Sequence, residues 1–197
     1  MKTWTWAAVA AALALAGALS LTAGHAQNAF VNWESPHVHP VELSADGTRL
    51  VAVNTADHRL EVYGIGGDRL PVYQRSIPVG LDPVSVRLRS NSEAWVVNHL
   101  SDSISIVDLS SGQVLKTVST GDEPADVVFA GSPQRAYVSI SQRHQLQVFD
   151  ANAPTAVLNT LALDGREPRS LAVSPDGSRV YTANGLSDSV SVIVALP

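Results

Sequence analysis

The chain repeats itself. Leu50-Val51-Ala52-Val53-Asn54, Ala94-Trp95-Val96-Val97-Asn98, Ala136-Tyr137-Val138-Ser139-Ile140 and Val180-Tyr181-Thr182-Ala183-Asn184 align on positions 51, 95, 137 and 181. The spacings are 44, 42 and 44 residues, and self-similarity at a fixed period of this size marks a repeat architecture. Each copy is followed by a second alternating run: Leu60 to Tyr63, Ile104 to Asp108, Leu146 to Asp150 and Val190 to Ile193. Period-two alternation is the strand signature, and residues 27–197 show no convincing helical period.

The punctuation repeats as well. Gly80-Leu81-Asp82-Pro83, Gly121-Asp122-Glu123-Pro124 and Gly165-Arg166-Glu167-Pro168 each open a unit. Gly tolerates the backbone a tight turn needs, and Pro fixes φ and withholds a donor, so the pair ends one strand and aims the next. Asp46-Gly47 and Asp176-Gly177 mark hairpins between first and second strands. Gly64-Ile65-Gly66-Gly67 looks faintly like a phosphate loop but opens no helix, and reads as a c–d hairpin. Each unit is thus four strands, a to d, and four-stranded units at this period are blades of a β-propeller. The expected fold class is all-β, with blade units starting near 37, 83, 124 and 168. The last unit stops after strand c; Phe30-Val31-Asn32-Trp33 stands where a strand d would end, and is expected to complete that blade by closing the ring.

The first residues read as an address. Lys2 precedes an apolar run from Ala7 to Leu21, and Thr22-Ala23-Gly24-His25-Ala26 offers small residues around a cut after Ala26. That is the pattern of a signal peptide over 1–26, too short for a usual membrane span. The expected mature domain is 27–197, periplasmic or secreted, with no membrane span. The chain has 197 residues, 45% hydrophobic and 16% charged, enough apolar content to bury a core. Cysteine is absent, which excludes disulfides, iron–sulfur clusters and c-type haem attachment. A formal net charge of -5 argues against nucleic-acid binding through a broad basic surface.

The Trp/Tyr-Val-x-Asn copies, the Gly-x-x-Pro turns and Ser174-Pro175-Asp176-Gly177 make residues 30–197 resemble the YVTN β-propeller repeat family, which includes bacterial periplasmic propellers. Ile140 and Val51 depart from the motif. Family propellers often have seven blades, so the resemblance implies a truncated or partial member. It transfers no activity, because propellers serve as enzymes, scaffolds and docking surfaces alike.

In a propeller the d–a and b–c loops share one face, and the strand assignment puts all five histidines of 27–197 there. His37 and His39 fall on the same side of an extended segment, a spacing one divalent metal ion bridges. His58, His99 and His144 belong to three b–c loops. Arg166 and Arg169 flank a d–a turn and suit an anionic ligand. Polar turn chemistry accounts for histidines in such loops equally well, and Asp57, Asp102 and Asp188 read as Asx-type turn residues. No acid, base and nucleophile set converges. The leading expectation is a non-catalytic propeller that binds a partner protein or small ligand through His39, His58, His99, His144, Arg166 and Arg169, with His37 and His39 as the metal pair. The alternatives are a metal-dependent lactonase-like hydrolase and an accessory docking protein for electron transfer. Two copies are also expected to be able to pair by their blade edges, since an unpaired edge invites association.

Overall fold

The structure is a computed structural model that describes residues 35–195. The signal segment and the expected closing strand, Phe30 to Trp33, lie outside the described residues. The first blade comprises β1 (Val41–Leu43), β2 (Arg49–Asn54), β3 (Arg59–Ile65) and β4 (Pro71–Pro78). The second is β5 (Pro83–Leu88), β6 (Glu93–Asn98), β7 (Ser103–Asp108) and β8 (Gln113–Ser119). The third is β9 (Pro124–Ala130), β10 (Arg135–Ile140), β11 (Gln145–Asp150) and β12 (Val157–Ala162). The fourth holds β13 (Pro168–Val173), β14 (Arg179–Asn184) and β15 (Ser189–Val194). Every sheet is an antiparallel meander in chain order, which makes the fold an all-β propeller. No helix among the described residues is long and apolar enough to cross a membrane.

The registers repeat with the sequence. Trp95 pairs with Ile106, Tyr137 with Val148 and Tyr181 with Val192. Because alternate residues point to opposite faces, Val51, Trp95 and Tyr137 face the following blade and their strand neighbours the preceding side. Three cores result. Val51, Leu60 and Val62 meet Ala94 and Val96 between blades one and two. Trp95, Val97 and Ile106 meet Ala136 and Val138 between blades two and three. Tyr137, Leu146 and Val148 meet Leu171 and Val180 between blades three and four. Blades two and three are therefore apolar on both faces. Trp95 is fully buried and stands edge-on to Phe129, with ring centroids 5.2 Å apart.

The Gly-x-x-Pro turns fold against the motif asparagines. Pro83 pairs with Asn98 and Pro168 with Asn184. Asn98 Nδ2 donates to the hydroxyls of Ser103 and Ser105, and Asn184 Nδ2 to those of Ser189 and Ser191. That posture presses each asparagine against the turn glycine: a Cβ on Gly80 would stand 2.6 Å from Asn98 Cγ. The third blade, with Ile140 in place of Asn, uses Gln147 instead; its Oε1 accepts the Gly121 N–H at 2.9 Å. Strand a begins at the turn proline in blades two to four, whereas in the first blade it begins at Val41, four residues past the expected start at 37.

Candidate functional site

Three of the histidines expected to contact ligand sit in the blade junctions, and the repeat explains them. Positions 55, 99 and 141 are equivalent. Thr55 Oγ1 donates to the Pro83 carbonyl at 2.7 Å, His99 Nδ1 to that of Pro124 at 2.9 Å, and Ser141 Oγ to that of Pro168 at 3.1 Å. Positions 58, 102 and 144 are equivalent too. His58 Nδ1 accepts the Asp82 N–H at 3.0 Å, Asp102 Oδ1 that of Glu123 at 2.9 Å, and His144 Nδ1 that of Glu167 at 3.1 Å.

Each of the first three blades is thus fastened to the next turn by one donor and one acceptor. The acceptor positions are left-handed, with φ of 56°, 47° and 52° at His58, Asp102 and His144, a region that Asp and His enter more readily than most residues. Asp188, at φ 45°, is the fourth member of this series. Asp57 is not in it: its backbone N–H bonds Asn54 Oδ1 within its own loop. His58, His99 and His144, expected as ligand-binding residues of the loop face, each bond across a blade junction, where a buried backbone N–H or carbonyl in a tight turn must find a partner.

His37 and His39 turn onto different partners. Thr55 Oγ1 has spent its proton on Pro83, so His37 Nε2 donates to it, at 2.6 Å. His39 makes a parallel bridge to Ser85, and Arg87 Nη1 lies 3.3 Å from its Nε2. A guanidinium only donates, so that nitrogen carries the lone pair. Among the described residues no three His, Asp or Glu side chains group as metal ligands. Arg169 bonds Glu167 Oε1 and the Pro36 carbonyl, while the Arg166 side chain is exposed.

The polar centre that sequence reasoning missed lies on the inner strands. Asp126, at 0% exposure, accepts Nε and Nη2 of Arg87 at 3.0 and 2.7 Å. It also accepts the Ser85 hydroxyl at 2.7 Å and the Leu171 N–H at 2.9 Å. Arg87 Nη2 reaches the Leu171 carbonyl at 3.1 Å. One carboxylate and one guanidinium so tie blades two, three and four, with His39 adding the first. Burial, and then Arg87, hold the His39 imidazole below its ordinary pKa. Burial raises the Glu42 carboxyl above the usual range, against the Leu88 N–H it accepts at 2.6 Å.

Arg87 and Leu171 of this network also line a depression of about 460 Å³. Glu42, Arg87, Arg89 and Gln134 supply its polar groups, and Phe129 and Val173 are among its apolar ones. Arg89 is held in place by Gln134 Oε1 at 3.0 Å, by Glu93 at 3.2 Å and by Asn152. A pre-ordered set of polar groups over an apolar floor is how small-molecule sites are built. The available signal was departure from the repeat: Arg87 aligns with Glu42, Val128 and Ala172, and Asp126 with Ser85 and Ser170.

Fold and site define a β-propeller with a polar centre on its channel wall. The chain belongs to the lactonase, 7-bladed beta-propeller family, whose model matches residues 13–195. Solved structures of similar fold include hydrazine synthase of Kuenenia stuttgartiensis, at 22% identity and a TM-score of 0.70 over 87% of this chain and 49% of that one. The periplasmic gluconolactonase of Pseudomonas aeruginosa aligns at 23% identity and a TM-score of 0.68, over 82% of this chain and 50% of that one. A putative 6-phosphogluconolactonase of Bacteroides uniformis follows at 17% and 0.65, over 81% and 55%. The chain spans about half the length of these structures. Comparison with curated proteins gives no match.

Proposed function

We propose that the chain binds a polyhydroxylated ring compound, of the sugar-lactone or sugar-acid class, in the depression on its channel wall. The observation that carries this reading is that Glu42, Arg89, Gln134 and Phe129 line one depression. An apolar aromatic ring together with carboxyl, guanidinium and amide groups matches the apolar faces and hydroxyls of such a compound. Membership of a lactonase family supports the ligand class. Calorimetric titration with gluconate and glucono-lactone tests it: saturable binding is expected, lost when Arg89→Ala and Gln134→Ala are combined in a chain that remains folded. No heat with the unmodified chain would end the proposal.

Turnover of the lactone is the second reading, and His39 favours it. Its imidazole lies 3.3 Å from Arg87, which lines the depression, and the pair offers a base for an attacking water and a partner for the oxygen that gains charge. His39→Ala is then expected to abolish lactone opening while binding persists. The chain is further proposed to be exported, on the strength of Lys2, the Ala7 to Leu21 run and Ala26; fractionation of cells producing the full chain tests that. The YVTN-type description of the repeats belongs with these proposals, resting on Trp95 to Asn98 and Tyr181 to Asn184.

A further inference from the structure

Among the described residues two sheet faces stand without a covering blade. On the fourth blade Ala183, Val190, Val192 and Val194 are exposed, the three valines at 65%, 57% and 72%. On the first blade Val41 and Leu43, which pair with Ala52 and Leu50, are exposed on the face turned away from blade two. Neither face is an ordinary propeller surface. The repeat equivalents of Tyr181 and Val192 are Trp95 with Ile106 and Tyr137 with Val148, all buried against the following blade. The equivalents of Leu50 and Ala52 are Ala94 with Val96 and Ala136 with Val138, all buried against the preceding one. The described residues make this face-to-face interface three times and present its two halves uncovered, one on blade four and one on blade one.

The junction bonds show the same thing. Asp188 holds the position of His58, Asp102 and His144, each of which takes an N–H from the turn of the following blade. Its own carboxylate has no hydrogen-bond partner among the described residues. The outer edge of β15 is likewise unpaired there.

We propose that these faces are an interface between two copies of the chain, the fourth blade of each packing on the first blade of the other. A second copy fits better than an unrelated partner because it carries, for each exposed face, the face that the repeat already packs against it. A two-fold axis satisfies both junctions at once and leaves no further face open, so assembly stops at two. The result is a closed ring of eight blades, and the depression on the channel wall gains the opposite wall that a single copy does not supply. The inference is independent of the ligand proposed above.

Light scattering on the purified protein tests it, with an expected mass twice that of a single chain measured by mass spectrometry. Val192→Asp and Leu43→Asp are each expected to give a folded monomer by circular dichroism. Leu115→Asp, on the exposed strand d of blade two, is expected to leave the dimer intact. Head-to-tail geometry has its own readout, since the chain has no cysteine. A mixture of Ala183→Cys and Ala52→Cys chains is expected to cross-link with a short bis-maleimide to a covalent dimer, and neither variant alone. A monomeric unmodified chain, a dimer indifferent to Val192→Asp, or cross-linking of Ala183→Cys with itself would each overturn the proposal.

Discussion

Asp126 and Arg87 lock the second blade to the third through a two-pronged ion pair, Nε to Oδ1 at 3.0 Å and Nη2 to Oδ2 at 2.7 Å. The carboxylate is fully buried and the guanidinium 19% exposed. Removing one partner of such a pair strands the other in a low-dielectric setting, at a cost of about 3–5 kcal/mol. Asp126→Asn keeps the volume and one acceptor, so about 3 kcal/mol is expected. Urea unfolding of variant and parent measures it, and a loss below about 1 kcal/mol, the scale of an exposed pair, would mean that the pair is effectively solvated.

The junction bonds give a graded series. His99→Ala removes the donor to the Pro124 carbonyl and leaves a cavity, at about 2 kcal/mol. His99→Thr restores the chemistry that Thr55 supplies one blade earlier and is expected to cost clearly less. Thermal unfolding of the two variants in parallel decides whether position 99 is a fastening or a ligand group. A ligand role would make both variants equally stable and equally defective in binding.

Much of this was legible in one sequence. The turn prolines, the motif strands and the hairpins repeat at fixed spacing, because each blade is one unit packing on the next. Side-chain direction was less legible. His58, His99 and His144 looked like loop ligands as long as histidine was counted as a residue type, whereas aligning Thr55 with His99 and Ser141 reveals a shared donor role. Arg87 and Asp126 escaped because they sit at strand positions that are ordinary in the other blades. Their pairing joins positions 39 residues apart, a distance set by blade geometry that no local spacing encodes.

The turn glycines differ in what stands over them. At Gly80 and Gly165 an added Cβ meets the side chain of a buried asparagine that has little room to withdraw. At Gly121 it meets Gln147 and Ile140 at 3.1 Å, and the long Gln147 side chain can yield. Gly80→Ala and Gly165→Ala are therefore expected to destabilise by about 1–3 kcal/mol, and Gly121→Ala by less. Chemical denaturation of all three checks the ranking; equal losses would place the constraint in the turn backbone instead.

Two a–b hairpins make the fold sensitive to acid. In the fourth blade Asp176 accepts Ser174 Oγ at 2.6 Å and both N–H and hydroxyl of Ser178. In the first blade Asp46 accepts Ser44 Oγ, also at 2.6 Å, and the same two groups of Thr48. The Ser174 bond, followed by those from Ser178, lowers Asp176 from 3.8 to about 2, and the Ser44 and Thr48 bonds lower Asp46 in the same direction. A carboxylate with a depressed native pKa binds fewer protons folded than unfolded. Its contribution is therefore present above the unfolded value near 3.8 and is lost as pH falls through about 2. Stability is expected to rise between pH 2 and pH 5, and the double variant Asp46→Asn, Asp176→Asn to flatten that rise. Variant and parent are expected to converge as pH falls below about 2, where the Asp176 carboxylate becomes protonated in the folded state. Denaturation midpoints across the range test the sign, and a gap that widens toward low pH would contradict it.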